Sequence, residues 1–95
     1  MKIKYSPEAV TDLQRVVDFV EMKNPYAARR IAIDIQEGVE KLKRFPEIGL
    51  SVMNAPDPSL FRDLLIKDYT IRYLITEEVV YILRIWHDKE NERNL

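Results

Sequence analysis

YTIRYLITEEVVYILRIWH, residues 69–87, is the stretch whose reading decides the fold. Ile, Val, Tyr, Leu and Trp dominate it, side chains that suit a pleated, half-buried surface, and it reads as two strands joined at Glu77-Glu78. Alternation puts Tyr69, Ile71, Tyr73 and Ile75 on one face of the first strand and Thr70, Arg72 and Leu74 on the other. On the second strand Val79, Tyr81, Leu83 and Ile85 share the expected core face. Val80, Ile82, Arg84 and Trp86 share the opposite one. Arg72, Arg84 and Trp86 are thus expected together on an open face. A two-residue loop would pair Thr76 with Val79 and set Arg72 beside Leu83, mixing the faces. Glu-Glu also lacks the Gly or Asn of a tight hairpin turn, so the spacing predicts a loop of three or four residues.

Working outward, Phe61 to Lys67 is a third strand. A two-residue turn at Lys67-Asp68 would set Ile66 opposite Tyr69 and Leu64 opposite Ile71. Lys2 to Tyr5 is a short strand candidate. Ser6-Pro7-Glu8 is a helix start, with an N-cap serine, proline at the first helical position and an acid in the first turn. Val10, Leu13, Val17 and Val20, with Ala9 and Val16 beside them, form its apolar stripe, and Asp12, Gln14, Arg15 and Asp18 its polar face. Asn24-Pro25 repeats the start signal. The second helix buries Ala28, Ile31, Ala32, Ile35, Val39 and Leu42 and ends by Phe45-Pro46. Gly38 within that stripe suggests close approach to the first helix or the sheet. Residues 47–59 form the one long irregular stretch, and a polar tail begins at about Asp88. The expected fold is α+β: a small antiparallel sheet with an N-terminal α-helical hairpin packed on one face, in a single domain spanning 1–95.

Composition narrows the chemistry. The chain of 95 residues has no cysteine and one histidine, which removes disulfides, thiol nucleophiles, thiolate metal sites and multi-histidine metal sites within one chain. No apolar run approaches the roughly 20 residues of a membrane span, and the N-terminal residues lack a signal-peptide apolar segment, so the expected compartment is the cytoplasm with no membrane partner. A formal net charge of −1 argues against a generic nucleic-acid binder, although charge need not be spread evenly.

Phosphate loops, zinc patterns and nucleophile elbows are missing from the sequence. The acids at Glu77-Glu78 and at Glu90 and Glu92 read as solvated turns or tail. The set that could carry chemistry is Arg62, Lys67, Arg72, Arg84, His87 and Lys89, with Tyr69, Tyr73, Tyr81 and Trp86 interleaved. Arginine holds phosphate in bidentate fashion, and aromatic rings stack on bases. His87 is the best single proton-transfer candidate, yet its parity equally suits closing the end of the core. Arg72, Arg84 and Trp86 suit a partner surface or a plain cover over apolar area.

In chain order, SPEAVTDLQRVVDFV, NPYAARRI, LKRFPEIG, FRDLLIKDYTIRYLI and VVYILRIWHDKE together resemble the RelE/ParE superfamily, the toxins of type II toxin–antitoxin modules. The resemblance implies a helical hairpin on a small antiparallel sheet and a protein that slows or stops growth. It also implies a cognate antitoxin, whose extended C-terminal segment wraps the toxin, with operator DNA met only through the antitoxin complex. RelE-like members cut mRNA in the ribosomal A site; ParE-like members poison DNA gyrase and trap cleaved DNA. NPYAARRI, FPEIG and ILRIWH look more like ParE. The tail DKENERNL dilutes its cations with acids, and no Tyr follows His87, which departs from the RelE pattern. The first reading is therefore a ParE-like toxin with Arg72, Arg84, Trp86 and Arg62 as target contacts, chosen by strand parity. The alternative is an mRNA endoribonuclease using His87, Arg62, Arg72, Arg84 and Lys89. A third is an inactive relative that only binds its antitoxin. No cofactor is implied. The antitoxin is expected near the helical hairpin or along a sheet edge.

Overall fold

The computed structural model of the protein describes residues 1–90; Glu92 and Arg93 of the expected polar tail lie outside the described residues. Strand β1 (Lys2–Tyr5) leads into helices α1 (Pro7–Glu21) and α2 (Pro25–Glu40), and a 3-10 turn follows at Lys41–Lys43. Both helix starts form as their sequences dictate. Ser6 Oγ accepts from Ala9 N at 3.0 Å, and Asn24 Oδ1 accepts from Tyr26 N and Ala27 N at 3.1 Å each. Four strands complete the described residues: β2 (Leu50–Ser51), β3 (Phe61–Ile66), β4 (Tyr69–Ile75) and β5 (Val79–His87).

The sheet runs β1-β5-β4-β3-β2. β2 to β5 are antiparallel neighbours, whereas β1 lies parallel to β5, with Lys2 opposite Val79 and Tyr5 opposite Ile82. The two helices pack on one face around Ala9, Val16, Ile35, Val39, Leu42, Leu64, Ile71, Val80, Ile82 and Ile85. Gly38 makes the close approach to the sheet: a Cβ there would collide with Ile66. Among the described residues no helix is long and apolar enough to cross a membrane.

The β3–β4 turn matches the sequence expectation, with Ile66 opposite Tyr69 and Leu64 opposite Ile71. Without glycine, Lys67 takes the left-handed conformation itself at φ 52°, at a cost of about 1–3 kcal/mol. Its ammonium reaches back to Asp34 Oδ2 at 2.6 Å, tying the turn to α2.

The β4–β5 hairpin corrects the sequence reading. Its loop is the two-residue one. Thr76 N donates to Val79 O at 2.9 Å, and Thr76 Oγ1 both donates to Val79 O and accepts from Val79 N, so a threonine hydroxyl supports the turn in place of Gly or Asn. Tyr73 faces Ile82 while Arg72 faces Arg84, so Leu83 is the extra residue of a β-bulge. Before the bulge Val80 and Ile82 enter the core and Val79 and Tyr81 do not; after it Ile85 enters. Leu83, expected in the core, is only half-buried, and its carbonyl accepts from Ser6 Oγ at 2.9 Å. The bulge restores the Arg72–Arg84 pairing that a plain two-residue hairpin would have broken.

α1 corrects a second expectation. Its buried side chains are Ala9, Asp12 and Val16, while Val10 is 56% exposed. The helix is turned so that a carboxylate meets the sheet. Among the described residues no strand covers the outer edge of β5 beyond Tyr5, and Asp12 fills that role by accepting from Ile85 N at 2.9 Å. Arg15 donates to Ile85 O at 3.2 Å from the same helix. A helix thereby satisfies both backbone groups of an otherwise open edge.

Candidate functional site

The bulge brings Arg72 and Arg84 side by side across β4 and β5, with Trp86 two residues along. The expectation of an open face fails for two of the three: Arg72 is 4% exposed and Trp86 5%. Arg72 donates to both oxygens of Asp63, from Nε at 2.9 Å and Nη2 at 3.0 Å, and its guanidinium lies 5.1 Å from the Trp86 ring centroid. The neighbouring strand therefore supplies a carboxylate directly opposite, and the indole covers the cation. Arg84 makes the matching contact with α1, from Nε to Asp12 Oδ2 at 2.8 Å and Nη2 to Asp12 Oδ1 at 3.1 Å. Burial pushes the Asp12 carboxyl up, but Arg84, the Ile85 N–H and Arg15 outweigh it and hold the group below its ordinary value. The bond to Asp12 raises Arg84 further above an already high value.

Arg62 stands apart from this pair. Opposite Tyr73 in register, it sits on the helix-bearing parity and holds the long loop, donating to the carbonyls of Ser59, Glu47 and Gly49 at 2.9, 3.2 and 3.0 Å. Tyr73 braces the same loop: its hydroxyl donates to Pro46 O at 2.6 Å and accepts from Gly49 N at 2.9 Å. Gly49 is required by this contact, since a Cβ would come within 2.6 Å of that hydroxyl and 2.9 Å of Asp63 O.

His87 and Lys89 belong to a different place, a cleft of about 670 Å³ between the last turns of α1 and the end of β5. Phe19, Val20 and Tyr69 give it apolar walls, and Arg15, Lys23 and Lys89 give it positive charge. His87 packs edge-on against Tyr69 with ring centroids 5.0 Å apart, and its Nδ1 accepts from Lys89 N at 3.0 Å. The neutral ring accordingly carries its proton on Nε2. Burial, with Asp68 and Glu90 nearby, pushes the Tyr69 phenol above its ordinary value, so it stays protonated at neutral pH. Glu90 occupies the rim, where its oxygens meet Arg15 Nη1 at 2.8 and 2.7 Å and His87 N at 3.1 Å.

Arg72, Arg84, Trp86, Arg62, His87 and Lys89 thus divide into a carboxylate-paired couple of arginines with an indole, a loop clamp and a cleft. Of the residues that organise the first and the last, Asp63 was not singled out from sequence, Asp12 and Arg15 were expected on the outward polar face of α1, and Glu90 was expected in solvated tail; Asp12 instead is buried and Glu90 is held by Arg15 and His87 N. The signal for Asp12 was present: it lies at helical spacing between Ala9 and Val16, on a stripe that a carboxylate enters only with partners.

The helix-free face carries one further feature. Phe61, Leu74 and Tyr81 form a row straight across β3, β4 and β5, all half-buried, and Lys4 of β1 extends it. The geometry is that of a surface that offers apolar area and has its arginines already engaged by carboxylates.

Residues 3–92 match the family described as the ParE toxin of type II toxin–antitoxin system, parDE. The chain belongs to the ParE toxin family. Toxin RelE2 of Caulobacter vibrioides is 27% identical over 86 residues, covering 90% of this chain and 93% of that protein. The fold is shared with a solved structure titled as the chromosomal ParDE TA system from P. aeruginosa, at a TM-score of 0.76 and 23% identity, over 92% of this chain and 95% of that one. The ParE family assignment agrees with the resemblance read from the sequence, and it brings with it a cognate antitoxin as partner.

Proposed function

We propose that this ParE-family toxin binds DNA gyrase and traps cleaved DNA, acting in the cytoplasm without cutting nucleic acid itself. The observation that carries this reading is the engagement of Arg72 and Arg84 by Asp63 and Asp12. RNA cleavage needs a base, an acid and cations that meet the charged transition state. Here the two arginines are organised by carboxylates of their own chain, Arg62 clamps a loop, and His87 lies in a separate cleft. The helix-free face instead presents the Phe61–Leu74–Tyr81 row, and apolar rows of this kind suit a protein partner. In this reading Arg72 and Trp86 stiffen the contact surface from beneath, and Arg84, whose side chain is 21% exposed, borders it.

The antitoxin segment is assigned to the outer face of the helical hairpin, where Phe19, Met22, Tyr26 and Ile33 are 61, 88, 79 and 43% exposed. Tyr81→Ala is expected to weaken binding to immobilised gyrase by about 30-fold, the size of an interface hot spot, while the melting temperature falls by only a few degrees. A folded variant with unchanged gyrase affinity would remove this row from the contact.

RelE-like cleavage of mRNA on the ribosome is the second reading. The cleft favours it, because His87, Lys89, Lys23 and Arg15 surround a protonated Tyr69. An inactive, antitoxin-binding relative would leave growth unaffected on expression, and both active readings require arrest.

A further inference from the structure

The chain's charge is unevenly placed. Arg15, Arg30, Lys67, Arg72 and Arg84 each have a carboxylate within ion-pair distance, while Lys23, Arg29, Arg62 and Lys89 have none among the described residues. At the other end, β1 and the turn after α2 flank a groove of about 740 Å³. Lys2, Lys4 and Lys43 line it against one acid, Glu40, which pairs with Lys43. Among the described residues Lys2, Lys4, Lys41 and Arg44 have no carboxylate at ion-pair distance, and all four are exposed. Glu78, adjacent in the β1–β5 ladder, gives Lys2 a backbone carbonyl and no ion pair.

We infer that this end of the domain is a phosphate-binding surface that engages the backbone of duplex DNA. Lys2, Lys4 and Lys43 line one groove. Lys2 and Lys4 stand on one side of β1, about 6.6 Å apart by strand rise, so they meet successive groups of a linear polyanion. Contacts of this kind position a protein on nucleic acid without reading sequence. The near-neutral total charge keeps the binding weak and local, with a Kd of about 10⁻⁴–10⁻⁶ M at physiological salt. The inference deepens the gyrase reading and rests on it for its purpose. Lys4 ends the Phe61–Leu74–Tyr81 row, so a protein seated on that row would bring its bound DNA to the cationic end.

The test is fluorescence anisotropy with a labelled 30-base-pair DNA duplex and the full chain, without gyrase, from 50 to 200 mM salt. About four phosphate contacts give a log–log slope near −3.6 and roughly a 10²-fold loss across that range. Lys4→Ala/Lys43→Ala is expected to halve the slope and weaken binding by at least about tenfold, and Lys2→Gln/Lys4→Gln, confined to exposed positions of β1, to do the same. Lys23→Ala/Arg29→Ala, an equal charge change elsewhere, is expected to leave binding unchanged. Absence of salt-dependent binding, equal loss in the control variant, or binding to duplex RNA but not DNA would overturn the inference. Because gyrase is absent, failure here leaves the gyrase reading standing, and failure of gyrase trapping leaves this result standing.

Discussion

Asp12→Ala is expected to cost about 3–5 kcal/mol, because it removes the buried carboxylate at the centre of the charge and hydrogen-bond network that joins α1 to β5. The carboxylate is buried in the α1–sheet interface, with its side chain 4% exposed. It accepts from Arg84 Nε, Arg84 Nη2 and Ile85 N, at 2.8, 3.1 and 2.9 Å, with Arg15 Nη2 farther off at 3.4 Å. Truncation also uncovers the Ile85 N–H, beyond the β1 pairing that ends at Ile82. A domain of this size has about 5–15 kcal/mol in all, so the loss approaches unfolding. Urea denaturation measures it directly, and an unchanged midpoint would mean that α1 is not latched to β5 through this group.

The same latch predicts a direction with pH. Asp12 is held below its ordinary value near 3.8 in the folded state. Its stabilising contribution is therefore complete above the unfolded value and fades as the pH falls through the folded one. Asp12→Asn should lose that part of the acid sensitivity, with the neutral amide still able to accept from Ile85 N.

Ile82→Ala is expected to destabilise by about 2–5 kcal/mol, the range for truncating a fully buried aliphatic side chain. Leu83→Ala is expected to cost about 1 kcal/mol, the ordinary size for a single substitution. The contrast is a test of the bulge. Ile82 is 0% exposed beneath the helices, while Leu83 is the inserted residue and half-buried. Uninterrupted alternation in the register first read from the sequence would place Leu83 in the core and Ile82 outside, reversing the two values. Equal or inverted losses in thermal or urea melts would contradict the register described above.

That reversal shows where the sequence was legible. The helix starts at Ser6-Pro7 and Asn24-Pro25, the turn at Lys67-Asp68 and the strand at Lys2–Tyr5 are written locally, in capping oxygens, proline and alternation, and each forms as expected. The bulge is not written locally. VVYILRIW is apolar at almost every position, so either parity satisfies the core, and the choice falls to the Thr76 hydroxyl at the turn and to two distant groups, the Ser6 hydroxyl on Leu83 O and the Asp12 carboxylate on Ile85 N. Parallel pairing of β1 with β5 is likewise a tertiary outcome, as is the two-residue β2, which is too short to carry a periodic signal.

The candidate site was legible as residue types and less so as an arrangement. Arg72 does sit opposite Arg84, and Trp86 beside Arg72. What alternation along one strand could not supply was the acid across the ladder: Asp63 faces Arg72 only once β3 and β4 are in register, and Asp12 reaches Arg84 only once α1 has turned its carboxylate inward. The neutralisation of both arginines follows from those two placements.

The most direct measurement incubates the purified protein with gyrase and plasmid DNA and scores trapped, cleaved DNA, with a parallel reaction on programmed ribosomes scoring cut mRNA. Accumulation of cleaved plasmid with intact mRNA is the result expected of a gyrase-binding toxin. Cut mRNA with undisturbed supercoiling would contradict it and return His87, Lys89 and the arginines to catalytic roles.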